Sequence, residues 1–295
     1  MVRIPNQLAQ RDAFAGCSGG RIRVAGATAA ATDTLDPAKQ SNQTDYSRGS
    51  MLYNGLTSLD GSLTPQPALA ESFTTQDAKT WVFTLRKGVV FHDGKALSPA
   101  DVVFSLMRHK DPATASKAKV LAEQIDTVRA SGPNEVTIVL SAPNADLPVI
   151  LGTSHFQIVK EGTTDFTAGI GTGPYKLKEF KPGERSIAVR NDNYWKPNRP
   201  YLDEIELVGI SDESARVNAL LSGQLDQDEV PGATLQRIGE DIQYQRDVVV
   251  LVRTDRVVGL VEGDEPEAHV GAAGRVGLVA DIEQVHEFGL DGQRA

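Results

Sequence analysis

The sequence predicts a mixed α/β fold in which short strands and amphipathic helices alternate without internal repeats. Apolar residues alternate at Trp81, Phe83 and Leu85, which indicates a half-buried strand. Ser98-Pro99 precedes apolar residues at helical spacing, the usual start of a helix. Turn dipeptides such as Asp60-Gly61 separate these elements. Mixed elements with many turns are typical of α/β and α+β proteins.

The first hundred residues contain two predicted helices and at least two strands. In order, the pattern predicts a strand at 21–26, a loop at 27–40, a helix at 43–56, a hairpin turn at Asp60-Gly61, a strand across 81–85, a turn at Asp93-Gly94, and a helix from Pro99. Ser98 is the expected N-cap of the last helix, and Asp101 at its third position complements the positive helix end.

The next stretch, up to about residue 227, continues the alternation of strands and helices. In order, it predicts two strands on either side of the Gly132-Pro133-Asn134 turn, a short helix within 145–154, strands at 175–180, 185–195 and 201–210, a helix within 211–227 with Ser211 as its N-cap, and a further strand that begins after Leu225. After residue 246 the composition changes: residues 247–295 contain no lysine and a single aromatic residue, Phe288. Their weak periodicity predicts no definite fold.

Composition and charge exclude several classes of protein. The chain has 295 residues, a net charge of -9 and no basic block, which argues against nucleic-acid binding. Its one cysteine, Cys17, excludes a disulfide framework and a cysteine-rich metal site. The sequence Phe14-Ala15-Gly16-Cys17 is similar to a lipoprotein cleavage box, but polar residues interrupt the apolar core that a signal needs. Residues 1–18 are therefore interpreted as an unstructured or altered N-terminus.

No motif predicts catalysis, a cofactor or a metal site. The stretch 16–20 fits G-x-S-x-G, but a nucleophile elbow needs a strand before it and a helix after it, and the order here is reversed. The glycines of 169–173 are followed by Pro174 and a strand, whereas a phosphate site uses a helix N-terminus. His92 lies beside a turn and is interpreted as a turn residue. An enzyme is therefore the least favoured class.

Six segments in one order resemble a known protein family. They are "TLDPAKQ" (34–40), "LYNGLTSLDGSLTPQPALAESF" (52–73), "WVFTLRKGVVFHDGKALSPADVVFSLMR" (81–108), "GTGPYKLKEFKPGE" (171–184), "RNDNYWKPNRPYLDEIEL" (190–207) and "SARVNALLSGQLD" (214–226). Together they resemble the family 5 extracellular solute-binding proteins, the peptide- and nickel-type receptors of ABC importers. The resemblance covers roughly residues 19–246.

The resemblance implies a type II periplasmic-binding-protein fold with two lobes. Residues 19–47 and 172–246 would form a discontinuous first lobe, and residues 48–171 a small extra domain. The glycine-rich stretch would be the crossover from the extra domain back into the first lobe. The second lobe would follow residue 246, so we expect it to be missing here. Residues 247–295 do not resemble the family, and a reading-frame artefact is one interpretation of them.

The same resemblance implies a transport function. The chain would bind a peptide or a related small solute in the periplasm and deliver it to ABC permease subunits in the inner membrane, as a monomer without a cofactor. Ala31, Thr32 and Asp33 correspond to the family's ligand-facing edge. Their small size suits backbone contacts to a peptide, although a plain loop is an equally good interpretation.

Two further interpretations concern aromatic residues and affinity. Tyr46 and Tyr53 are interpreted as packing residues, with cleft aromatics as the alternative. Without a second lobe, solvent competes for each polar contact, so we expect weak or no ligand binding. The alternative function is a self-standing interaction protein, or a non-functional fragment, that reuses only the first lobe.

Overall fold

A computed structural model describes residues 19–231, 248–254, 257–259, 268–270 and 276–278. The interpretations of residues 1–18, including the stretches 14–17 and 16–20, lie almost wholly outside the described residues. Most of the segment 247–295 lies outside them as well. Within the described residues the fold is mixed α/β, as predicted, and it is built around one seven-stranded and one four-stranded sheet.

The seven-stranded sheet surrounds the first strand of the chain. Its members are β1 (Arg21–Gly26), β8 (Tyr175–Lys181), β9 (Arg185–Arg190), β10 (Glu204–Gly209), β11 (Gln227–Pro231), β12 (Val248–Thr254) and β13 (Val257–Gly259), in the order β13-β12-β11-β1-β10-β9-β8. β1 pairs in parallel with β10 and β11, and Val24 lies opposite Leu207. The first strand of the chain is therefore flanked on both sides by strands that lie about 180–200 residues later in the sequence.

The four-stranded sheet is antiparallel and contains the strand predicted from Trp81, Phe83 and Leu85. Its members are β4 (Ala70–Thr75), β5 (Thr80–Leu85), β6 (Ile125–Gly132) and β7 (Glu135–Leu140), in the order β4-β5-β7-β6. The alternating side chains of β5 are buried, as their spacing predicted. Two small hairpins complete the strands: β2 (Thr57–Leu59) with β3 (Pro65–Pro67), and β14 (Ala268–Val270) with β15 (Val276–Leu278).

Five α-helices are described. They are α1 (Gln43–Leu52), α2 (Pro99–Met107), α3 (Lys119–Ala122), α4 (Leu147–Leu151) and α5 (Glu213–Leu221). α2 begins as predicted, since the Ser98 amide donates to Asp101 Oδ2 at 2.8 Å. The prediction of Ser211 as the N-cap of α5 is wrong. Asp212 is the N-cap because its carboxylate accepts a 2.7 Å hydrogen bond from the Ala215 amide.

The buried apolar residues form two main cores. One lies against the four-stranded sheet and contains side chains from Leu56 to Ile158. The other lies against the seven-stranded sheet and includes Leu52 and Tyr53 from the end of α1. The chain therefore passes from one core to the other just after α1. The predicted boundary between residues 47 and 48 falls inside this helix, and the division into lobe and extra domain stays a prediction.

The glycine-rich stretch is packed directly on the end of α1. A Cβ atom on Gly171 would lie 1.9 Å from the Leu52 carbonyl oxygen, and one on Gly173 would lie 2.4 Å from the Met51 carbonyl oxygen. The Gly173 amide donates to the Leu52 carbonyl at 2.9 Å. The glycines are thus needed for close backbone approach. The chain then enters β8 at Tyr175, which is the strand that the sequence predicted.

His92 joins the loop after β5 to the same stretch. Its amide donates to the Gly171 carbonyl at 2.8 Å, and Nδ1 accepts from the Gly171 amide at 3.3 Å. Since Nδ1 is an acceptor, Nε2 carries the proton that it donates to the Gly173 carbonyl at 3.1 Å. Burial of the ring lowers the pKa of His92. His92 therefore ties two backbone segments together in its neutral form.

The Gly171→Ala variant is expected to be less stable by at least about 1–3 kcal/mol, because the new methyl group would overlap backbone atoms of α1. Urea unfolding followed by circular dichroism measures the loss. Gly132→Ala is the control, since its Cβ would meet only the Glu135 side chain at 3.3 Å. Equal stability of the two variants would contradict the close approach.

A second prediction concerns pH. Because the pKa of His92 is lowered from 6.5 by folding, the unfolded chain takes up a proton before the folded chain does. The contribution of His92 to stability is therefore complete above about pH 6.5 and is lost as the pH falls through the folded pKa. His92→Asn keeps an acceptor near Gly171 but does not titrate. We expect its unfolding free energy to decline less steeply with falling pH, and an unchanged slope would refute this role.

Candidate functional site

The three predicted ligand-facing residues form one corner of the loop after β1. The Asp33 amide donates to the Ala30 carbonyl at 2.9 Å, which closes a turn with Ala31 and Thr32 at its tip. Ala31 and Thr32 are exposed, whereas the Asp33 side chain is fully buried. The structure therefore brings the three residues together but gives them different environments.

The Asp33 carboxylate is bound from several sides. Oδ2 accepts from Arg48 Nη2 at 2.7 Å and from the Gly183 amide at 3.3 Å. Oδ1 accepts from the Ala30 amide at 3.2 Å. One side chain thus connects the loop to α1, to the β8–β9 turn and to the start of its own turn. Because a buried carboxylate needs such partners, this side chain stabilises the corner itself.

Arg48 is the buried cation at the centre of this arrangement. It is only 2% exposed and holds a second carboxylate, with Nη1 donating to Asp45 Oδ1 at 2.6 Å. Its Nε donates to Ser186 Oγ at 3.1 Å, and its guanidinium lies over the Phe180 ring, 5.3 Å from the centroid. Burial raises the pKa of Asp45, and the neighbouring Asp33 charge acts in the same direction. Arg48 opposes both effects.

A second Asp–Arg pair fixes the chain just beyond the corner. Both Arg108 Nη atoms donate to the Asp36 carboxylate at 2.8 Å, a bidentate geometry. Asp36 also accepts from the Ala38 amide at 3.0 Å and caps the short 3₁₀ helix Pro37–Lys39. The Arg108 guanidinium lies 4.7 Å from the centre of the Phe166 ring. One buried charge pair therefore anchors the corner itself, and the other anchors the 3₁₀ helix that follows it.

The turn between β8 and β9 lies directly beneath the corner. Gly183 has a φ of +77°, and a Cβ atom there would lie 3.1 Å from the Ala30 carbonyl carbon. The Gly209 amide donates to the Glu184 carbonyl at 2.6 Å, so the end of β10 supports this turn. The corner thus rests on the backbone of this turn as well as on the buried side chains of Asp33 and Arg48.

The two tyrosines differ in position. Tyr53 lies in the core of the seven-stranded sheet and is 1% exposed. Tyr46 is half-buried and meets the His155 ring edge-on, with centroids 5.5 Å apart. Neither residue belongs to the Ala31–Asp33 corner as described. The packing interpretation fits both positions.

Sequence reasoning did not identify Arg48 and Gly183 as parts of this site. A sequence signal for Arg48 did exist, since three aspartates lie within the 15 residues before it. A buried arginine needs such carboxylates as hydrogen-bond partners. Gly183 gives no such signal, since Lys181-Pro182-Gly183-Glu184 is an ordinary turn sequence. Among the described residues, no group of three or more metal-ligating side chains is found. No described helix is long and apolar enough to span a bilayer.

These features define a class of protein. The mixed sheet centred on β1, with a four-stranded sheet formed by the chain between β1 and β8, has the type II periplasmic-binding-protein fold. The family model described as "Bacterial extracellular solute-binding proteins, family 5 Middle" matches residues 64–260, and the chain belongs to this family. The match continues 14 residues beyond residue 246, into the segment interpreted above as unmatched. The reading-frame artefact in residues 247–295 stays a prediction.

Relatives with known ligands extend the comparison. The chain is 30% identical over 218 residues to the glutathione-binding protein GsiB of Escherichia coli O1:K1 / APEC, with 72% of this chain and 43% of that protein aligned. It is 31% identical over 228 residues to the oligopeptide-binding protein AppA of Bacillus subtilis strain 168, with 73% and 42% aligned. The chain therefore spans less than half the length of these relatives.

Solved structures agree with this assignment. AgaA from A. tumefaciens R10, in complex with agropinic acid, superposes with a TM-score of 0.66 at 29% identity and covers 71% of this chain and 44% of that one. DppA from Helicobacter pylori, in complex with the peptide STSA, gives 0.66 at 26% identity, with 79% and 50% covered. The predicted fold class and family are thereby confirmed.

Replacement of Arg48 by Met is expected to destabilise the protein by about 3–5 kcal/mol, because it leaves two buried carboxylates without their cation. Equilibrium urea unfolding measures the change. Arg23→Met is the matched control, since the pair between Arg23 and Asp226 is partly exposed and is worth at most about 1 kcal/mol. Similar losses of unfolding free energy in the two variants would contradict a larger contribution from the buried ion pairs.

Proposed function

We propose that the chain is the substrate-binding component of an ABC importer. It binds a peptide or a related small solute in the periplasm and delivers it to permease subunits in the inner membrane, as a monomeric, non-enzymatic receptor. The family assignment and the glutathione- and oligopeptide-binding relatives support this proposal. The observation that carries it is the exposed Ala31–Thr32 corner, held on a rigid support at the edge that the family resemblance assigns to the ligand.

The chemistry of the corner suits recognition of a peptide main chain. The side chains of Ala31 and Thr32 are small, and within the described residues their amides have no hydrogen-bond partner. Extended peptides are commonly held through such main-chain groups, which gives affinity without strong side-chain selectivity. Receptors of this fold then close a second lobe over the solute and exclude water.

We also propose the division of the chain made from the sequence, with residues 19–47 and 172–246 in the first lobe and 48–171 in the extra domain. The two separate cores support a division into two parts. The change from one core to the other falls near Asn54 and near Ile158, so it differs from the proposed bounds by several residues at each end.

Binding by the 295-residue chain alone is proposed to be weak. The corner faces solvent, so each hydrogen bond to a solute nets only about 0.5–1.5 kcal/mol. A solute held from one side gains a few such bonds and loses its translational freedom. The relatives that bind solutes are more than twice as long as the aligned part.

An NMR titration of the ¹⁵N-labelled chain with glutathione and with mixed di- to pentapeptides tests the proposal. We expect fast-exchange shifts of the Ala31, Thr32 and Asp33 amides at millimolar concentration, because these groups face the solute. The amides of Lys87 and Gly88, in an exposed turn after β5, are the internal control. Saturation at micromolar concentration would contradict weak binding, and the absence of shifts at the corner would contradict its role as the ligand edge.

A further inference from the structure

The Asp33 carboxylate accepts hydrogen bonds from three different segments of the chain. Its carboxylate accepts from Arg48, from the Gly183 amide and from the Ala30 amide, at 2.7, 3.3 and 3.2 Å. These donors come from α1, from the β8–β9 turn and from the loop itself. The residues that flank the corner in sequence and in space are thus fixed by one side chain.

The carboxylate of Asp33 is bound inside the protein. The side chain is 0% exposed and pairs with Arg48, which is 2% exposed and also binds Asp45. The carboxylate is therefore not available to the charged amino group of a solute. The exposed groups next to it are the backbone atoms of Ala31 and Thr32.

We propose, on the basis of the proposed function, that Asp33 is a positioning residue for ligand recognition. Its buried carboxylate holds the turn at Ala30–Asp33 rigid, so that the Ala31 and Thr32 main chain meets the solute in one conformation. The β8–β9 turn at Gly183 is the second support, because its backbone packs against Ala30. The corner recognises the polar main-chain groups of a neutral or zwitterionic solute rather than its positive charge.

Rigidity matters here because ordering a flexible loop on binding costs free energy. Fixing the backbone of one residue is equivalent to about a tenfold loss of affinity. A corner that is already ordered avoids this cost. The role of Asp33 is therefore visible in loop dynamics and affinity, apart from any change in global stability.

The test uses Asp33→Ala, in which Arg48 still has Asp45 as a partner and the fold is expected to persist. Asp36→Ala is the matched control, because Asp36 is also buried and paired with an arginine but anchors the 3₁₀ helix beyond the corner. Amide ¹⁵N relaxation and peptide titrations are recorded at a temperature at which each variant is fully folded. Asp33→Asn, which keeps the volume and one acceptor, replaces Asp33→Ala if that variant unfolds.

For Asp33→Ala we expect the order parameters of Ala31 and Thr32 to fall from about 0.85 to below about 0.6. Peptide affinity should weaken by about tenfold. Asp36→Ala should lose stability yet leave both quantities unchanged at the corner. Unchanged order parameters in Asp33→Ala, or an equal loss in Asp36→Ala, would overturn the inference. The relaxation measurement tests the role of Asp33 independently of peptide binding. If peptides cause no shifts in the wild-type chain, that result counts against the proposed function alone.

Discussion

Arg48 is one cation buried between two carboxylates, and the candidate ligand edge depends on it. Removing such charges from water is costly, and only close, hydrogen-bonded partners offset that cost. The guanidinium donates to Asp33, Asp45 and Ser186, which belong to the loop after β1, to α1 and to β9. A single side chain thereby fixes the positions of a loop, a helix and a strand. The exposed corner at Ala31 and Thr32 lies directly above these groups and is supported by their hydrogen bonds.

The junction between the two cores is built on a different principle, the close approach of backbones. Gly171 and Gly173 allow the returning chain to lie against the last turn of α1. His92 then holds that chain from the opposite side through both ring nitrogens. Because α1 also carries Arg48, the crossover and the ligand edge rest on the same helix. Since His92 follows β5, the four-stranded sheet is connected to α1 through this glycine-rich stretch.

The relatives give these local features a functional setting. Family 5 receptors named for glutathione and for oligopeptides share this part of the fold. A corner without a free carboxylate suits solutes recognised by their main chain.

Local patterns in the sequence determined most of the secondary structure and the family. Strands such as β5 and helices such as α2 were predictable because alternation, helical spacing and capping act over a few residues. The N-cap of α5 was assigned one residue too early, because Ser211 and Asp212 are both good caps and only geometry separates them. The candidate corner at Ala31–Asp33 came from the resemblance rather than from any local signal.

Only the tertiary structure decided how these residues are used. Asp33 was interpreted as part of a ligand-facing edge or of a plain loop, whereas its carboxylate is buried against Arg48 and accepts from the amide of Gly183, 150 positions further along the chain. The glycines of 169–173 could have served a phosphate or a turn, and their contact with α1 shows that close packing requires them. These outcomes depend on pairings between distant segments. Since a local pattern carries no information about which distant group will meet it, the sequence by itself determined the elements and the fold determined the site.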